Sequence, residues 1–82
     1  MRLVYFASVR ETIGRDEEEV AVPETVATAG ALVAWLRERG PEYEAALADR
    51  ALRIAVDQVH ARPDAPIAGA REVALFPPMT GG

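Results

Sequence analysis

Glu72-Val73-Ala74-Leu75-Phe76-Pro77-Pro78-Met79-Thr80-Gly81-Gly82 reads in two halves. Glu72 to Phe76 is apolar and strand-like. Pro77 and Pro78 then fix φ and remove backbone donors, so the strand ends there and the chain continues in an extended polyproline course. A strand that hands over directly to a side-chain-poor tail suggests a sheet element anchoring a projecting arm. Two parts follow, a folded domain over 1–76 and a tail over 77–82.

Working outward from that strand, Arg2 to Ala7 alternates, with Leu3, Tyr5 and Ala7 on one face and Arg2, Val4 and Phe6 on the other. Ser8 and Glu11 match a capping box for a short helical turn that stops at Gly14. Glu17 to Val22 reads as a second strand with Val20 and Val22 inward, closed by Pro23. Thr28 is the expected N-cap of the main helix, which runs to about Arg39 before Gly40-Pro41; Ala29, Leu32, Val33 and Leu36 fall on one face. Pro41 opens a shorter helix carrying Tyr43 and Leu47. Leu52 to Val56 alternates as a strand, with Leu52, Ile54 and Val56 inward and Arg53 and Ala55 outward. Asp57-Gln58 then turns into a short strand near His60.

This order predicts an α+β fold, a mixed sheet packed on one main helix. The first two strands pair as neighbours, and the strand ending at Phe76 lies parallel to the first. That is the β-grasp, ubiquitin-like roll.

Composition narrows the function. Eighty-two residues suit one domain, and half of them are apolar, enough for a small core. A net charge of −4 disfavours nucleic acid as a partner. There is no cysteine, which excludes thiol catalysis and thiolate metal sites, and the single His60 cannot build a zinc site alone. Glu17-Glu18-Glu19 reads as a solvated strand start and not as a metal site. No apolar run is long enough for a membrane span and no signal-peptide pattern opens the chain, so a cytoplasmic protein is expected. All nine basic side chains are arginine, leaving no side-chain amine on which copies could be linked.

The tail suggests acyl chemistry. A terminal carboxylate is ionised at neutral pH and is a poor electrophile, so reaction there requires activation. Gly81 and Gly82 remove bulk and widen the accessible backbone conformations. Six extended residues reach roughly 20 Å, enough to enter a partner's pocket.

The heptapeptide Phe76-Pro77-Pro78-Met79-Thr80-Gly81-Gly82 resembles the terminal signature of the small subunit of molybdopterin synthase. Tyr5-Phe6-Ala7-Ser8-Val9-Arg10-Glu11 and Ala55-Val56-Asp57-Gln58 are similar to that family too. The resemblance implies that an E1-like adenylating enzyme uses ATP and magnesium to adenylate Gly82. A sulfur donor protein then converts the acyl-adenylate to a thiocarboxylate. It further implies that Pro77, Pro78, Met79, Thr80 and Gly81 thread into the large synthase subunit. There the sulfur builds the dithiolene of molybdopterin from cyclic pyranopterin monophosphate. Two small and two large subunits would form a heterotetramer, with the active site on the large subunit and no cofactor or metal bound by this chain. The absence of cysteine agrees, because sulfur would then ride on the carboxylate. Asp57 stands where the family often has asparagine, and His60 where it often has an apolar residue.

The same alternation places Val4, Phe6, Ala74 and Phe76 on one outer face, where two phenylalanines beside the tail would make a partner interface. His60 is expected at its rim. Arg10 either pairs locally with Glu11 or Asp16 or contacts an acidic group on the activating enzyme. Trp35 reads as edge packing. Three other functions share these features: a thiamine-type sulfur carrier, a ubiquitin-like protein modifier that forms isopeptides, and an interaction module with an inert tail.

Overall fold

The computed structural model describes residues 1–78. The elements are β1 (Arg2–Tyr5), α1 (Ala7–Ile13), β2 (Glu17–Glu19), α2 (Ala29–Arg37), α3 (Pro41–Leu47), β3 (Arg53–Val56), β4 (Val59–Ala61) and β5 (Glu72–Phe76). They form a five-stranded sheet in the order β2-β1-β5-β3-β4. β1 and β5 are parallel, with Leu3 beside Val73 and Tyr5 beside Leu75; every other pair is antiparallel. The expected mixed sheet and the parallel placement of β5 beside β1 are both present.

Strand alternation decides which residues form the core. Leu3, Tyr5, Val73, Leu75 and Ile54 leave the sheet on one face and meet Leu32 and Leu36 of α2. Val9 and Ile13 of α1 and Tyr43 and Leu47 of α3 close the same cluster, so the two shorter helical pieces expected beside the main helix also pack on the core. Each fully buried leucine is worth about 1.5–3 kcal/mol of transfer free energy.

α2 is capped as its sequence predicts, with the Ala31 N–H donating to Thr28 Oγ1 at 3.2 Å. Its last turn tightens, Arg39 N–H bonding to the Leu36 carbonyl, so the regular helix ends two residues before Arg39. The start of α2 is stitched to the loop before β5. Gly30 N–H donates to the Pro63 carbonyl at 2.8 Å, and a β-carbon on Gly30 would lie only 3.1 Å from that oxygen.

Several local expectations are corrected. Ser8 is not a cap: Phe6 is the N-cap residue of α1, with extended φ and ψ and no side-chain hydrogen bond. Phe6 continues β1, its N–H donating to the Leu75 carbonyl, while its own carbonyl accepts the first helical bonds from Val9 and Arg10. Strand therefore passes directly into helix, and Ser8 already lies inside the first turn. Gly14 does end α1, in the left-handed region at φ 90°.

β2 stops at Glu19, short of the expected Val22; the last rung beside it is the Val20 N–H bonding to the Met1 carbonyl. Val20 is still buried and Val22 packs at the core edge. β1 and β2 pair as predicted, joined by the expected short helical segment, α1. Ala55 faces outward as expected but is buried, a short side chain between Ala74 and His60 on the flanking strands.

Candidate functional site

The outer face of the sheet carries the site. In register across it run Val4, Ala74, Ala55 and His60, with Phe6 and Phe76 at the end from which the tail leaves. The Phe6 and Phe76 rings meet edge to face, centroids 6.4 Å apart and planes at 83°. His60 stands edge-on to Phe76, with ring centroids 5.8 Å apart. Phe6 is 47% exposed, unusual for a residue of its size. Ala74 and Ala55 rise little from the sheet, so the aromatic rings stand above a low floor.

At the tail's exit Phe6, Ala7, Phe76 and Pro77 line an almost purely apolar depression of about 300 Å³. Ala7 holds φ at 52°, in the left-handed region. Such a conformation costs about 1–2 kcal/mol for a residue with a β-carbon. Here it lets β1 break into α1 with no intervening loop, and so keeps Phe6 beside the exit. Pro77 and Pro78 follow β5 directly and are half-buried. Met79, Thr80, Gly81 and Gly82, the tail residues singled out from the sequence, lie outside the described residues. Arg10 is exposed on α1, one turn beyond Phe6, and has no carboxylate partner among the described residues; the local pairs with Glu11 and Asp16 do not form.

Among the described residues no group of three or more His, Cys, Asp or Glu side chains comes together in a way that could hold a metal ion. Nor is any helix among them long and apolar enough to cross a membrane.

The sequence reading missed a polar cluster behind the sheet. Glu18 is not solvated: its side chain is 8% exposed and turns toward the core face. Its Oε2 accepts hydrogen bonds from the Tyr5 hydroxyl at 2.6 Å and the Tyr43 hydroxyl at 2.7 Å. Its Oε1 pairs with Arg15 at 3.1 Å and Arg39 at 3.6 Å. Burial pushes the Glu18 carboxyl up, but the two tyrosine hydroxyls and the charges of Arg39 and Arg15 outweigh it and hold the group below its ordinary value. Both tyrosines are pushed up, by burial first and then by the Glu18 carboxylate. Arg39 also lies 5.0 Å from the Tyr43 ring centre and 5.9 Å from that of Trp35. The signal was available: Glu18 sits opposite Leu3, an inward position, and only a carboxylate with partners is tolerated there.

The ThiS family model matches residues 3–82. The chain belongs to the ThiS family. It is 38% identical to the molybdopterin synthase sulfur carrier subunit of Escherichia coli (strain K12), an alignment spanning all of this chain and 99% of that protein. The protein of the same description from Haemophilus influenzae is 32% identical over the same spans. Among solved structures it is similar to SAMP1 from Haloferax volcanii, at 27% identity and a TM-score of 0.76, covering all of this chain and 98% of that one. These likenesses agree with the ubiquitin-like β-grasp roll read from the sequence and with its resemblance to molybdopterin synthase small subunits. In this ThiS-family domain the Phe6–Phe76 face lies immediately beside the root of the tail.

Proposed function

We propose that the chain is the sulfur carrier subunit of molybdopterin synthase and that its working group is the C-terminal carboxylate of Gly82. The similarity to carrier subunits along the full length of both proteins carries this reading. An E1-like enzyme joins that carboxylate to the adenylate of ATP, with magnesium balancing the phosphates and pyrophosphate leaving. A sulfur donor protein then replaces the adenylate with sulfur, giving a thiocarboxylate. The large synthase subunit, in a two-plus-two assembly, receives the tail through Pro77, Pro78, Met79, Thr80 and Gly81. It transfers the sulfur to cyclic pyranopterin monophosphate as the dithiolene forms. This chain contributes no catalytic side chain; it presents Gly82 and offers Phe6 and Phe76 as a grip, with His60 at the rim and Arg10 toward the activating enzyme.

The root of the tail suits that work. β5 lies between β1 and β3, so Pro77 leaves from a strand held on both sides. The test is intact mass after incubation with the activating enzyme, ATP and a sulfur source. One oxygen replaced by one sulfur on the terminal residue is the expected outcome. No mass change, with full synthase activity after deletion of Gly82, would refute the proposal.

The likeness to SAMP1, a small archaeal modifier protein, favours a second reading in which the tail is joined to amines of other proteins. Covalent conjugates that survive reduction and denaturation would support it.

A further inference from the structure

Nine arginines serve an acidic molecule, and they are unevenly used. Arg2, Arg15, Arg37 and Arg39 are ion-paired. Among the described residues Arg10, Arg50, Arg53, Arg62 and Arg71 have no carboxylate partner, and three of these five line one depression of about 460 Å³. Arg50 lies in the turn before β3, Arg53 opens β3, and Arg62 follows β4. The pairing of Ile54 with Ala61 carries on to set Arg62 across from Arg53. The neighbouring acid does not neutralise them: Asp49 Oδ1 accepts the Ala51 N–H at 2.8 Å.

The depression is continuous with the aromatic face. Arg53 is the register partner of Phe76. His60 lines the depression and also touches Phe76 edge-on. Whatever seats on Phe76 therefore lies beside Arg53 and the depression that Arg50 and Arg62 also line. Each of the three guanidinium groups presents a planar fork of donors matched to a carboxylate. Three charges on a chain of net −4 are too few for nucleic acid, which calls for a basic surface. They suit a short run of acidic side chains.

We propose that Arg50, Arg53 and Arg62 form a docking site for an acidic, carboxylate-bearing segment of the large synthase subunit, extending the aromatic grip around the β3–β4 edge. This rests on the proposed function, since it takes the large subunit to be the partner. The patch steers the encounter and fixes the orientation in which the tail enters.

The test compares binding of purified large subunit to wild-type chain, to the triple variant Arg50→Ala, Arg53→Ala, Arg62→Ala, and to a control triple, Arg2→Ala, Arg37→Ala, Arg71→Ala, that removes the same charge elsewhere. All six side chains are solvent-accessible, and thermal melts confirm that the variants fold. The docking triple is expected to associate on the order of tenfold more slowly at low salt, with a flatter salt dependence, while the control matches wild type. Equal loss in both triples, or no loss in the docking triple, overturns the proposal while leaving the carrier function standing. If the wild-type chain itself does not bind the large subunit, both fall. If inorganic pyrophosphate saturates the depression but partner binding is unchanged by the docking triple, the site is for a small anion and the docking proposal is refuted.

Discussion

Phe6 and Phe76 come from strands at opposite ends of the chain, yet parallel pairing of β1 with β5 brings their rings to 6.4 Å at the point where the tail departs. Phe6 is half open to solvent, so replacing it separates any effect on binding from the effect on folding. Phe6→Ala should lower large-subunit affinity by about 2 kcal/mol or more, the range of a buried aromatic hot spot. Fold stability should fall by only about 1 kcal/mol, mainly through the lost ring pair. Calorimetric titration against thermal melts reads the two effects separately.

Glu18 gives a pH signature. Its folded-state value is depressed, so its contribution is present above the unfolded value of about 4.3 and is lost as pH falls through the folded value. Wild type should therefore lose stability on acidification below about pH 4.5. Glu18→Gln should be less stable at neutral pH by about 1–3 kcal/mol and show a flatter acid limb. Urea denaturation at several pH values would show a parallel acid limb if Glu18 were unimportant.

Asp57 holds a turn and not a ligand. Its φ is 48°, and its Oδ1 accepts the N–H groups of Arg71 at 2.9 Å and Glu72 at 3.0 Å, tying the β3–β4 turn to the start of β5. Asparagine keeps the same acceptor oxygen and tolerates the left-handed region. Asp57→Asn should thus be nearly neutral, whereas Asp57→Ala should cost about 1–3 kcal/mol, measured by denaturant midpoint.

Gln58 follows with φ at 69°. Two consecutive positive φ values in a two-residue connection favour glycine at the second position. Gln58→Gly should raise stability by about 0.5–1 kcal/mol, visible as a higher melting temperature with partner binding unchanged.

The sheet was legible in the chain because alternation is a local signal. Leu3, Tyr5, Val73 and Leu75 declare their face, and Pro77 declares the end of β5. The aromatic face followed by the same rule. What stayed hidden depends on partners distant in sequence. Glu18 between two like charges looks solvated until Tyr43, 25 positions away, is placed over it. Ser8 with Glu11 satisfied a capping pattern, but α1 begins already at Ala7, at the expected end of the first strand, and takes Phe6 as its cap. The depression between Arg50, Arg53 and Arg62 requires the β3–β4 register, which spacing alone leaves open.

β5 has a neighbour on each side, and Pro77 follows it directly. A pull applied at Pro77 along the axis of β5 falls in shear across both flanking ladders at once. It cannot peel the strand away one hydrogen bond at a time. Under such a load the domain is a mechanically stiff handle.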